Sequence, residues 1–253
     1  MKTFCTVLAV AAGIFALGQP ARSQTTSPAA DSMLVAVAVV SAQQQYTASF
    51  TDQPQLYNGP EYADYSRRYN ARIGHQFFLA PDRQPGSVDY NGHYFPNIQL
   101  AYDVVRDQVV VPVADSPLTL RLVDEHVRAF DIGSHHFVRV VADSSTGPDV
   151  RTGYYEVMVD SCVQVVAKRS KRLHEQLKDR VTDVEFVVTD RYFIRKAGVY
   201  YPVTSKATAV RVFADHSREV QQFIREQALS FGKEQLDASL VRLARYYCHL
   251  PQR

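Results

Sequence analysis

The sequence predicts an α+β protein: an antiparallel β meander of roughly ten strands, forming a half-barrel or curved sheet, with C-terminal helices packed on it. Three observations predict this. Between residues 87 and 203, short runs rich in Val, Tyr and Phe recur at intervals and are separated by turn-forming residues. Nothing between these runs has the length and period of a crossover helix, which disfavours a parallel βαβ sheet. After residue 205 the apolar spacing changes from two to three and four, the period of a helix face.

In chain order, the first element is an export signal. Lys2 supplies a short positive start, and Phe4 to Leu17 is an uncharged apolar run. Ala21-Arg22-Ser23 places small residues where a signal peptidase reads them, so residues 1–23 are expected to be removed and Gln24 to begin the mature chain, with Gly18 a second candidate. The run is too short to span a bilayer comfortably. Cys5 lies too early to be a lipidation site. The reading implies a periplasmic or secreted protein, not a membrane-spanning one. Residues 24–32 are Ser/Thr/Pro/Ala-rich and read as a flexible linker. Residues 33–253 then read as one α+β domain.

From Asp31 or Ser32 to about Phe50, Ala and Gln favour helix while the Val run of Met33 to Val40 favours strand; helix is preferred. Residues 51–87 carry many tyrosines and turn formers and read as a segment covering the sheet, anchored by Phe77, Phe78 and Leu79. Tyr57, Tyr62, Tyr65 and Tyr69 could form a recognition surface, but packing under a covering segment suits them better.

The meander opens at Val88-Asp89-Tyr90, turns at Asn91-Gly92 and returns through His93-Tyr94-Phe95; Asn-Gly between such runs favours a type I′ hairpin. Further runs are Ile98 to Val104, Gln108 to Val113, Leu118 to Val123, His126 to Phe130, Phe137 to Val141, Tyr154 to Val159 and Val163 to Lys168. A basic interruption follows, then Val184 to Val188, Tyr192 to Arg195 and Val199 to Val203. In the helical part, residues 205–250, Ser205 is expected to cap a helix ending near Phe213, and Asp215 a second one with Val220, Phe223 and Ile224 on one stripe. Leu236, Leu240, Leu243, Tyr247 and Leu250 mark a third.

The net charge of +2 gives no whole-molecule field, so nucleic acid is not an expected partner. No G-x-S-x-G, Walker or dinucleotide fingerprint is present, and neither H-E-x-x-H nor paired Cys ligands occur. No cofactor and no metal ligand set is predicted. His135 and His136 adjoin, but on a strand they point to opposite faces. The segment Lys168, Arg169, Lys171 and Arg172, continued by Lys178 and Arg180, is the one run of charge. It reads as a connection between strands that could contact an anion or an acidic partner, or simply be solvated. Beyond the signal, Cys162 and Cys248 are the two cysteines, and an oxidising compartment favours pairing them.

The segments Leu56-Tyr57-Asn58-Gly59-Pro60-Glu61-Tyr62, Gly74-His75-Gln76-Phe77-Phe78, Gly86-Ser87-Val88-Asp89-Tyr90-Asn91-Gly92-His93-Tyr94, Leu100-Ala101-Tyr102-Asp103 and Gly153-Tyr154-Tyr155-Glu156-Val157 occur in order, with Lys206 before the C-terminal helices. With these the chain resembles a family of uncharacterised secreted or periplasmic bacterial envelope proteins. The resemblance implies an envelope location and no assigned function. At Ser161-Cys162 and at Cys248 the sequence departs from the family pattern, which adds weight to the pairing.

The leading functional reading is a non-enzymatic exported envelope protein that binds a lipid, another amphiphile or a protein partner on its curved sheet. One alternative is an envelope hydrolase drawing on carboxylates and histidines such as Asp103, Glu156, His93 or His136. Another is a structural or assembly partner of an outer-membrane complex that uses the basic segment.

Overall fold

Chain reversals set the architecture. Asn91-Gly92 (φ 51° and 77°), Asp179-Arg180 (48° and 71°) and Ala197-Gly198 (50° and 85°) each place two successive residues at positive φ. That is the backbone of a type I′ turn, whose twist matches that of paired strands. The computed structural model describes residues 55–114, 116–144 and 146–251; the expected signal, the expected linker and the segment expected to be helical between Asp31 and Phe50 lie outside them.

Within these residues the strands are β1 (Arg72–Ile73), β2 (Gln84–Tyr90), β3 (His93–Asp103), β4 (Gln108–Pro112), β5 (Thr119–Arg121), β6 (Val127–Ile132), β7 (His135–Val140), β8 (Gly153–Asp160), β9 (Gln164–Lys168), β10 (Lys171–Lys178), β11 (Val181–Val188), β12 (Arg191–Lys196) and β13 (Val199–Val203). Three α-helices follow: α1 (Lys206–Val212), α2 (Ser217–Glu226) and α3 (Leu236–Cys248). The fold is therefore α+β, with a large antiparallel sheet and helices after it.

Ten strands form one sheet in the order β13-β12-β9-β8-β7-β6-β2-β3-β4-β5. The chain runs outward from β2 to β5, returns through a short 3-10 turn at Asp124–His126, and continues from the free side of β2. The remaining strands form a smaller sheet, β1-β11-β10, in which β1 and β11 are parallel. The two runs around Pro96 join into the single strand β3, with Asn97 at φ 55° and the register shifting opposite it between Gly86 and Val88.

The basic segment departs most from expectation. It is not a connecting loop. Lys171, Arg172 and Lys178 belong to β10, which pairs along its full length with β11 and turns at Asp179-Arg180. The misreading has a physical cause: a strand alternates only when one of its faces is packed, and from His174 to Leu177 this one is exposed on both. Only Leu173 and Leu177 are apolar there, and Leu177 is 76% exposed.

Aromatic rings fill the main core. Tyr90, Tyr102, Phe130, Phe137 and Tyr154 are each at most 1% exposed, and Tyr102, Phe130, Phe137 and Tyr154 lie 4.7 to 5.9 Å apart between centroids. Leu56 and Phe78 of the covering segment pack on this cluster, and Tyr62, Tyr65 and Tyr69 are buried against Val184 and Phe186 of β11. Leu79 is not an anchor; it sits at φ 54° and is 56% exposed.

The helices cover one face of β8, β9, β12 and β13. Ser205 caps α1 through a reciprocal bond with Thr208. Val220 and Ile224 of α2, and Leu236, Leu240, Leu243 and Tyr247 of α3, bury against Val159, Val165, Ala167 and Ile194. Asp215 does not cap α2, whose N-cap is His216. Its carboxylate instead accepts from Lys196 at 2.7 Å and from the Tyr247 hydroxyl at 2.5 Å, tying the β12 hairpin to α3. Cys248, the last residue of α3, meets Cys162 of the β8–β9 turn at an S–S distance of 2.02 Å.

β13 ends the large sheet. In a two-residue hairpin Lys196 and Val199 exchange both backbone bonds, so Tyr200 and Pro202 face away from β12. Proline stands where an outward N–H would otherwise invite another strand.

Candidate functional site

β9 ends at Lys168, and the β10–β11 hairpin leaves the large sheet through Arg169-Ser170 and returns through Thr189-Asp190. Departure and return lie side by side, because β9 and β12 are themselves paired, Lys168 opposite Arg191. This geometry places the Arg169 side chain, only 11% exposed, among three carboxylates. Its Nε donates to Glu156 Oε2 at 2.5 Å, and one terminal nitrogen donates to Asp190 Oδ2 at 2.8 Å and to the Tyr192 hydroxyl at 3.2 Å. The other terminal nitrogen stands 3.7 Å from Asp237 Oδ2, at the start of α3. Glu156 also meets His135 Nδ1 at 2.5 Å through its second oxygen. Burial disfavours the guanidinium charge, but the Glu156 carboxylate and the bonds to Asp190 and Glu156 outweigh it and push the Arg169 pKa up.

Above this cluster lies a cleft of about 730 Å³. Its walls are the β12 and β13 strand ends and the loop leading into α3. Tyr192, Val203, Phe231 and Leu236 give it apolar surface. Exposed Asp149, Arg191 and Glu234 stand at the rim. Lys233 is held there by donation to the Val188 carbonyl at 2.9 Å. Arg169, Asp190 and Asp237 form a charged floor whose groups already bind one another. The arrangement can hold a small molecule that brings an apolar body and at least one charged or polar group.

A second, smaller hollow of about 430 Å³ is lined by Tyr62, Phe77 and Thr119. Beside it Asp103, fully buried at the end of β3, accepts from the Tyr62 hydroxyl at 2.8 Å, the Tyr65 hydroxyl at 3.2 Å, and the Val105 and Arg106 amides at 2.9 and 3.0 Å. Burial raises its pKa more than those four donors lower it. The folded state thus binds the Asp103 proton more tightly than the unfolded chain, and this group's contribution to stability falls as pH rises from the ordinary carboxylate range through the folded pKa. Urea unfolding across that range should show the wild type gaining on Asp103→Asn as pH falls; a difference that grows with rising pH would contradict the assignment.

No protein-family model, curated protein or solved structure matches the chain.

The site therefore stands on its own geometry. Of the four basic residues singled out in the sequence, Arg172 alone is exposed. Lys168 Nζ lies 2.5 Å from Asp107, Arg169 serves the carboxylate cluster, and Lys171 Nζ donates to the His75 and Phe77 carbonyls at 2.7 and 2.6 Å. Three of the four thus bind the protein's own acceptors, and no continuous cationic surface forms from them. The carboxylate and histidine candidates do not converge either. Asp103 serves two tyrosines, Glu156 serves Arg169 and His135, His136 meets Asp131 at 2.7 Å, and His93 contacts the Asn91 carbonyl. Sequence reasoning missed Asp190, Tyr192 and Asp237. Their only signal was a carboxylate just before a strand and another just inside a helix, where acidic residues are common for local reasons.

Proposed function

We propose that this chain is a non-enzymatic exported binding protein that holds a small ligand in the cleft above Arg169. The observation that carries the reading is the cleft itself: Tyr192, Val203, Phe231 and Leu236 give its walls apolar surface beneath a charged rim, and its floor is a guanidinium locked among carboxylates. A floor whose charges are already paired supplies shape and hydrogen-bonding direction without reorganising when a ligand arrives. Export is supported by the signal-like start of the sequence and by the two cysteines at bonding distance. Among the described residues, no helix is long and apolar enough to cross a membrane.

On this reading the ligand sits at the end of the sheet, beside the β12 and β13 strand ends, and not across its face. The sheet face that carries Tyr102, Phe130, Phe137 and Tyr154 is filled by these buried, mutually packed rings. The test uses protein purified from its native host and examined by native mass spectrometry. Wild type should carry a small molecule released on denaturation, and Thr204→Trp, which projects a ring into the cleft from its rim, should retain several-fold less. A ligand-free wild type, or equal retention by both proteins, would defeat the proposal.

A further inference from the structure

Lys168 and Asp107 form a pair that the cleft does not use. Asp107 closes the β3–β4 turn at φ 60°, Lys168 ends β9, and Nζ stands 2.5 Å from Oδ2. The two oxygens of Asp107 have different surroundings. Oδ2 faces the amine, while Oδ1 accepts from the Tyr102 hydroxyl at 2.5 Å and from the Tyr154 amide at 3.5 Å. Around them are the buried rings of Tyr102, Tyr154 and Tyr155, the last with its centroid 5.2 Å from Nζ. Gly153 makes the approach possible: a Cβ there would stand 2.0 Å from Oδ2 and 2.4 Å from Nζ.

We propose that Lys168 and Asp107 condense to an amide, a covalent cross-link between the β3–β4 turn and the end of β9. The chemistry needs no outside reagent. Proton transfer from Nζ to Oδ2 across their hydrogen bond gives a neutral amine beside a neutral carboxylic acid. Burial favours that exchange, holding the Lys168 pKa below its usual value, although Asp107 opposes the shift. The nitrogen lone pair then attacks Cγ, and negative charge develops on Oδ1, where the Tyr102 hydroxyl and Tyr154 amide already point. Oδ2 takes a second proton from the nitrogen and leaves as water. One N–C bond forms, one C–O bond breaks, and nothing is oxidised or reduced.

In dilute solution an ammonium and a carboxylate do not condense. Intramolecular groups held in a near-attack geometry reach effective concentrations of about 10⁵ M or more, and such a geometry here would shift both rate and equilibrium toward the amide. Partial exclusion of water acts in the same direction on the amine, since Lys168 is 12% exposed, while Asp107 is 28% exposed. An ordinary ion pair would instead keep both charges and both masses.

The test is the intact mass of the purified full chain, denatured and with disulfides reduced. Wild type should be lighter than its sequence by one water molecule, and a protease digest should contain a branched peptide joining the Lys168 and Asp107 segments. Lys168→Arg, which keeps the cation but cannot form this amide, should have its full mass. Asp107→Asn should close with loss of ammonia and reach the same final mass as cross-linked wild type. A folded wild type of full mass with separable peptides would overturn the proposal, as would a branched peptide at any other pair.

Discussion

Replacing Arg169 by Ala is expected to lower the free energy of unfolding by about 3 to 5 kcal/mol, the range for removing one partner of a buried ionic group. The figure follows from what remains. Glu156, whose side chain is 7% exposed, and Asp190, at 15%, would each lose the guanidinium, keep only His135 and the Ser170 amide respectively, and stay where water reaches them poorly. Asp237, at 37%, can turn to solvent and adds little. Arg169→Lys should recover part of the loss but not all. A single ammonium cannot reach both Glu156 Oε2 and Asp190 Oδ2 in the fixed fork that the guanidinium presents.

Chemical unfolding of the two variants beside wild type measures this directly. Adding Glu156→Gln and Asp190→Asn to Arg169→Ala should restore stability, because the stranded charges go with their partner. A loss below about 1 kcal/mol for Arg169→Ala, the range of solvated surface pairs, would mean that water screens the cluster. The cleft would then have no fixed floor, and the proposed binding site would lose its physical basis.

The cluster also shows where sequence reading stops. The strands flanking it, β8, β9, β12 and β13, were legible because each alternates or runs apolar between turn formers such as Ala197-Gly198. α3 was legible from the spacing of Leu236, Leu240, Leu243 and Tyr247, which reappears as its buried stripe. β10 was not legible. Its Lys, Arg, His and Glu side chains mask a strand whose pairing comes from β11 across the Asp179-Arg180 turn. Once that hairpin is missed, Arg169 looks like one member of a basic loop. In the fold it sits at a junction, drawn inward by Glu156, Asp190 and Asp237, which stand 13, 21 and 68 positions away. Linear spacing carries no signal for such a meeting. It depends on which strands are neighbours, and here the β9–β12 pairing across an inserted hairpin decides that.

The Cys162–Cys248 bridge should give an effect of similar size by a different route. The two residues are 86 positions apart, so the bond restricts the unfolded chain strongly. Loop-closure entropy puts its contribution at about 4 to 5 kcal/mol. Cys162→Ser, Cys248→Ser and the double variant should therefore be destabilised alike, since any of them removes the same single constraint. Wild type treated with reductant should unfold at the temperature of the variants, and reductant should not shift the variants further. The loss should appear first at the end of α3, where Tyr247 holds Asp215 and, through it, Lys196 of the β12–β13 hairpin. That hairpin forms one wall of the cleft, so an untied α3 should weaken ligand retention before the sheet itself unfolds. Wild type indifferent to reductant would show that the thiols are unpaired, and one support for an oxidising compartment would fall with the bridge.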